Sequence, residues 1–234
     1  MSGASSRRIH GTLQVDGHTV RPSRVIAVSG DLASIFGADV VGDDGRFEIH
    51  VPDSVERVVV MAGVTDPVVA VAHQAVDLGG SPASVALVVD TARQPFHPLS
   101  GAIEFPGQRP PFISLTVDPV HLDGVPAPLE PLLRRRDDRV VDASFLRLRL
   151  DEPRFDLTLQ QGTYRVDAGY VDRSRPNIVR PDFDNYVTRL ARVDGADAPA
   201  PERFGGVELE VTRPVQLTLV LAVLPDEELS PGST

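Results

Sequence analysis

The chain has 234 residues, 41% of them hydrophobic, and a formal net charge of −10. That is enough apolar side chain for a packed core, and the wrong sign of charge for a nucleic-acid backbone or an anionic membrane as main partner. Cysteine is absent and all 23 basic residues are arginine, which removes disulfides, thiol catalysis, Cys-ligated zinc, Schiff-base lysines and Lys–Asn isopeptide crosslinks.

The opening MSGASSRRIHGTL has two arginines but no apolar stretch behind them, so no secretory leader is read. The default expectation is a soluble cytoplasmic protein, with export by a machine that needs no cleavable signal also compatible. No run approaches the roughly 18 apolar residues of a membrane span. Strands are expected from Ile9 to Val15, ending in the turn Asp16-Gly17, and then from Ser23 to Ser29. Ala38 to Val41 leads through Gly42-Asp43-Asp44-Gly45 into Arg46 to Val51, a strong hairpin signal. Phe47, Ile49 and Val51 alternate with Glu48 and His50, the period of a strand with one buried face. Val58 to Met61 is continuously apolar, as in a central strand, and Gln74 to Leu78 and Ser84 to Val89 complete a set of roughly seven strands, the number of a β-sandwich.

The second half repeats this order. IHGTLQVDGHTVRPSRVIAVS from Ile9 aligns with LSGAIEFPGQRPPFISLTV from Leu99, placing Gly11 on Gly101 and Gly17 on Gly107. RFEIHVPDSVERVVVMAG from Arg46 aligns with RFDLTLQQGTYRVDAGY from Arg154, placing Phe47 on Phe155, and AVDLGGSPASVALVV from Ala75 aligns with VELEVTRPVQLTLVL from Val207. Recurrence of three segments in one order points to internal duplication. The expected architecture is all-β: one sandwich over 1–90, a stiff Pro-containing linker over 91–98, and a second sandwich over 99–234 with insertions at 120–143 and 172–206. Within the later insertion Phe183, Tyr186, Val187 and Leu190 fit a helix behind Asp182 as N-cap, and an extended strand from Asn185 to Val193 fits nearly as well.

Gly11, the strand residues Pro22, Val25, Ala27 and Val28, and the segment VGDDGRFEI resemble the carboxypeptidase-regulatory-like group of transthyretin-like (prealbumin-like) β-sandwich domains. The resemblance covers about the first ninety residues. It implies structural roles for Asp44 and Gly45 in the turn and for Phe47 in the core, and a non-catalytic module of assembly, adhesion or presentation. The second half departs from it: Asp151-Glu152-Pro153 lacks the turn glycine. One transthyretin-like branch hydrolyses a purine-pathway intermediate, but its Tyr-Arg-Gly-Ser tail has no counterpart in Ser230 to Thr234, so that activity is not carried over.

Catalytic and metal-binding patterns are weak. The six histidines, His10, His18, His50, His73, His97 and His121, form no i, i+4 pair on an expected helix, and they read as surface and loop residues. Tyr164, Tyr170 and Tyr186 show no pairing with histidine like the iron-binding set of sandwich-fold ring dioxygenases. Asp182, Asp184 and Asn185 resemble a fragment of a calcium loop, but Val187 and Val193 stand where an EF-hand needs Gly and Glu. There is no GxSxG elbow. Arg134 to Arg136 is balanced by Asp137 and Asp138, a solvated loop. No cofactor and no catalytic residue are expected. The leading expectation is a structural or protein-binding module of a larger assembly, by self-assembly or with a protein partner, contacting it through Ile178, Phe183 and Tyr186 of the later insertion. The alternatives are a carbohydrate- or small-ligand-binding sandwich, with calcium as an optional ligand, and a metal-dependent enzyme on the same scaffold.

Overall fold

In a computed structural model, residues 6–19, 24–29, 34–64, 68–79, 83–130, 146–170, 186–198 and 206–223 are described. Apart from one short 3-10 turn, Ala127–Leu129, their regular structure is all strand. Contacts divide the chain into two units: Met1–Phe96 with His121–Phe145 and Thr158–Gln161, and His97–Val120 with Leu146–Leu157 and Gly162–Thr234. The chain is thus not divided at one point in sequence. Residues 121–130 and 158–161, expected in the second sandwich, belong with the first.

The first unit contains β1 (Ser6–Val15), β2 (His18–Thr19), β3 (Arg24–Ser29), β4 (Ile35–Val40), β5 (Arg46–Pro52), β6 (Arg57–Val64), β7 (Ala70–Asp77) and β8 (Ala83–Val89). In one sheet β1 is flanked antiparallel by β5 and parallel by β8, with β2 folding back on its end. The other runs β4-β3-β6-β7, antiparallel throughout. In β5, buried Phe47, Ile49 and Val51 alternate with wetter neighbours, because the pleat sends successive side chains to opposite faces. β6 is apolar along its length because it lies between β3 and β7. The core is shared by the two sheets: Ile9, Leu13, Phe47, Ile49 and Leu87 from one, Val25, Val58, Val60 and Val76 from the other. Each such fully buried side chain contributes about 1.5–3 kcal/mol.

β7 receives the chain from 158–161. Val69 N–H donates to Thr158 O at 2.8 Å and Gln160 N–H to Val69 O at 2.9 Å. Gln160 is almost fully buried; its Oε1 accepts from Val71 N–H at 3.1 Å and its Nε2 donates to Asp123 O at 2.6 Å. Pairing an otherwise orphaned edge amide is what keeps a buried glutamine here.

The second unit contains β9 (Phe96–Glu104), β10 (Ile113–Leu122), β11 (Leu146–Leu150), β12 (Arg154–Gln160), β13 (Gly162–Tyr170), β14 (Tyr186–Val193), β15 (Ala196–Asp197), β16 (Val207–Val211) and β17 (Val215–Val223), a few of whose terminal residues fall in the first unit. They form one nine-stranded sheet, β11-β10-β13-β14-β17-β9-β12, with β16 on β13 and β15 on β14. β14 meets β13 only at Val187 with Gly169 and Tyr186 with Tyr170, but follows β17 along its length. Either side of that narrow link the orders are β12-β9-β17 and β11-β10-β13-β16, the same as β5-β1-β8 and β4-β3-β6-β7. Strand for strand the chain order also agrees, with β14 and β15 added between the counterparts of β6 and β7. The segment expected as linker is shorter than 91–98: Thr91 to Gln94 form a turn on Asp90, and Phe96, His97 and Pro98 already open β9.

Each unit contains the same kind of close approach. A Cβ on Gly11 would lie 2.1 Å from Cζ of Phe47, and one on Gly101 would lie 2.3 Å from Cζ of Phe155. Each ring therefore occupies the space above a glycine Cα. Gly11→Ala and Gly101→Ala are each expected to cost about 1–3 kcal/mol, the range for overpacking a filled core. Urea denaturation of the two variants checks this; a variant as stable as the parent would mean that the ring moves aside freely.

Candidate functional site

Outside the rings, each unit carries an open depression on the solvent face. In the first unit it is about 580 Å³ and runs over His10 to Thr12, Arg46 to Glu48 and Ser84 to Ala86, with Asp39 beside them. In the second it is about 560 Å³ and runs over Ser100 to Ala102, Arg154 to Asp156 and Gln216 to Thr218. These are corresponding positions: the register Gly11–Val85 of β1 and β8 recurs as Gly101–Leu217 of β9 and β17, and Leu13 N–H to Gly45 O at 2.8 Å recurs as Ile103 N–H to Pro153 O at 2.9 Å.

The chemistry on the two faces differs. On the first, Glu48 takes His50 Nε2 at 2.9 Å, His10 Nδ1 at 3.3 Å and Arg8 Nε at 3.7 Å. One carboxylate thus serves two imidazoles and a guanidinium, all part-exposed; such pairs contribute about 0–1 kcal/mol each. On the second face Ser100 stands where His10 does, while Arg154 and Asp156 keep the charges of Arg46 and Glu48. Among the described residues no group of three or more His, Asp or Glu is placed to hold a metal ion. His121 lies between Glu130, 2.5 Å from Nδ1, and Asp123, 3.4 Å from Nε2, and His73 Nε2 meets Gly124 O at 3.2 Å.

The turn residues hold the frame. Gly45 has φ of 77°, a conformation that favours glycine. Its N–H donates to Gly42 O at 2.8 Å, and Asp44 Oδ1 accepts from Arg46 N–H at 3.0 Å. Phe47 then enters the core, 5% exposed. Asp16-Gly17 and Asp194-Gly195 both have positive φ at each residue, the geometry of a two-residue type I′ hairpin. Each Asp also pins a neighbouring strand end. Asp16 accepts from Thr91 Oγ1 at 2.6 Å and Thr91 N–H at 2.8 Å; these bonds hold its carboxyl below the ordinary value. Asp194 accepts from Gln216 N–H at 2.9 Å and pairs with Arg213 at 2.6 Å, with the same direction of shift and the Gln216 bond as largest cause. The second turn is missed in the sequence reading, although Val193-Asp194-Gly195-Ala196 carries the signal recognised at Asp16-Gly17.

Tyr186 corrects an expectation. It is not a surface contact: it is fully buried in β14, and its hydroxyl faces Pro106 O at 3.0 Å and Gln108 O at 3.2 Å. Its ring packs on Phe105, centroids 6.0 Å apart. Of the expected strand from Asn185 to Val193, the described part, Tyr186–Val193, is a strand, so Tyr186 and Thr188 both point inward. Ile178 and Phe183 lie outside the described residues, as do Asp172, Asp182, Asp184 and Asn185 of the calcium-loop fragment and the Arg134 to Asp138 run. Tyr164 is likewise enclosed, and burial pushes its hydroxyl far up from its ordinary pKa. Neither Tyr164 nor Tyr186 is presented as a tyrosinate ligand.

No family model matches the chain, and no curated protein matches it. Among solved structures it is similar to the Bacillus anthracis TIE protein, at 8% identity and a TM-score of 0.31 over 93% of this chain and 34% of that one; the chain thus spans about a third of that protein's length. It is also similar to a mutant of the shaft pilin SpaA from Lactobacillus rhamnosus GG, at 8% identity and a TM-score of 0.31 over 94% of this chain and 99% of that one. A minor pilin of Streptococcus agalactiae is matched at 9% identity and a TM-score of 0.31 over 98% of this chain and 99% of that one. The class is defined by the chain's own strand pairing: an all-β protein of two units. Among its described residues no helix is long and apolar enough to cross a membrane.

Two outcomes follow from the site geometry. Asp16→Asn and Asp194→Asn keep a turn-compatible side chain but lose the charge. A folded pKa held below the unfolded one adds stability that is full above the unfolded value, near 3.9, and is lost as pH falls through the folded value. Each variant should therefore melt lower than the parent at pH 7, with the gap closing in acid; a gap independent of pH would rule out the charge as its source. Tyr186→Phe should cost about 0.5–1.5 kcal/mol through its hydroxyl, read by thermal unfolding, whereas a surface tyrosine would give no measurable change.

Proposed function

We propose that the protein is a non-catalytic structural or protein-binding module of a larger assembly, built by duplication of one sandwich plan. The observation that carries this reading is what the two units hold in common. Glycine under phenylalanine, the strand order and the inward register recur, while several outward residues at the same positions change, His10 to Ser100, Thr12 to Ala102 and Ser84 to Gln216, with Arg46 and Glu48 matched in charge by Arg154 and Asp156. A recurring frame whose two histidine-bearing positions beside Glu48 are not repeated supports repeated architecture over a repeated catalytic group. The charged groups on the first unit's face have sufficient partners in one another. Ile178 and Phe183, from the insertion that also carries β14, are the contact residues the sequence offers.

Capture from the native host with the full chain as bait, read by mass spectrometry beside the oligomeric state of the purified chain, tests this. A stoichiometric protein partner or a self-assembled species is expected. A monomer that captures nothing would sink the reading.

A further inference from the structure

The added hairpin of the second unit shows where the first unit is incomplete. In the second unit β14 lies antiparallel along the outer edge of β17, from Tyr186 opposite Val223 to Val193 opposite Leu217. β17 thus has a neighbour on each side. Among the described residues its counterpart β8 is hydrogen-bonded to β1 alone, with β7 of the other sheet close by. An unpaired strand edge is a row of N–H and C=O groups ready to take another strand, and proteins usually blunt such edges with charge. The other edge strands follow that practice. β5, for instance, carries Arg46, Glu48 and His50, and its Glu48 N–H is taken by Asp39 Oδ2 at 2.8 Å. β4, β7, β11, β12, β15 and β16 each contain at least one ionisable residue, as does the two-residue β2. β8, ASVALVV, contains none, and its outward row is Ser84, Ala86 and Val88, with Val88 51% exposed.

We infer that β8 is a strand-pairing edge whose partner is β8 of a second copy of this chain, joined antiparallel about a two-fold axis. The composition of β8 selects this occupant. Antiparallel self-pairing sets each strand against its own reverse, where a charged edge meets like charge and is repelled. With Ser, Ala and Val in the outward row there is no such repulsion, and the pairing reproduces across two chains what β14 does for β17 within one. The inference deepens the assembly reading above and takes its purpose from it, while its geometry stands alone.

The test uses the full chain in sedimentation equilibrium. The parent should show a monomer–dimer equilibrium. Ala86→Lys or Val88→Lys should weaken it by about tenfold or more, because each puts two charges into the paired edge, most strongly at the position nearest the axis, where the lysine faces its symmetry mate. Val40→Lys, equally exposed but on β4, should leave it unchanged. Because the parent has no cysteine, single Ser84→Cys, Ala86→Cys and Val88→Cys chains give an independent reading that does not depend on the lysine variants folding. Oxidation should link dimers at the position nearest the axis and not in Val40→Cys. A parent that stays monomeric at every concentration overturns the inference, as does a dimer insensitive to the β8 charges or linking that is equal at Val40→Cys. A monomer that still captures a stoichiometric host protein would overturn the self-pairing while leaving the module reading in place.

Discussion

At the centre of each unit an aromatic ring lies where a side chain would otherwise be. Phe47 covers Gly11 and Phe155 covers Gly101, at separations that no Cβ tolerates. The rest of the arrangement depends on this. The ring can lie flat only if its cross-strand neighbour is glycine, and the glycine is tolerable in a strand only because the ring fills the space it leaves. The pair fixes the register of β5 on β1. A slip of one residue would turn the apolar face of β5 to solvent. With β5 fixed, the turn at Gly42 to Arg46 and the core residues behind Phe47 are placed as well. In the second unit the same pair is present although its turn, at Asp151 to Pro153, has no glycine, so the ring contact and not the turn glycine is common to both units.

The units differ in what closes them. The second spends an inserted hairpin on the edge of β17, ties it with the Asp194-Gly195 turn and anchors it through the Tyr186 hydroxyl to the connection between β9 and β10. The first closes β5 with Asp39 and the start of β7 with Gln160, and among the described residues leaves the outer ladder of β8 without a strand. Two solutions to the same problem, an exposed ladder edge, thus coexist in one chain.

Much of this arrangement was legible in the sequence. Alternation located β5, and short apolar runs bounded by turn residues located β1 and β8, to within a few residues, because each buries one face and wets the other. The recurring segments align in register over β1 and β9, β5 and β12, and β8 and β17, but the third is one residue out over β7 and β16, where buried Val76 falls on exposed Glu208. What failed did so for physical reasons. Tyr186, Val187 and Leu190 fit a helical period as well as a strand in a short window, and a tyrosine looks exposed until its hydroxyl has an acceptor, which here comes from carbonyls about eighty residues away. Gln160 carries no local signal, because its partners Val71 and Asp123 lie on other strands and loops. The return of 158–161 to the first unit was not legible for the same reason: these residues continue β12 in sequence, but their contacts are with β7.

The first and last strands of each unit run parallel and side by side, β1 with β8 and β9 with β17. A tensile load carried along the chain would enter at the start of the first strand and leave at the end of the last, at opposite ends of the shared ladder. Such a load pulls the ladder in shear, so that its hydrogen bonds, Ile9–Val15 against Ala83–Val89 in the first unit, resist together and do not unzip one at a time. Resistance to forced unfolding is set by the rate of crossing that barrier and not by equilibrium stability, and in each unit, taken by itself, the topology places the barrier in the path of the load.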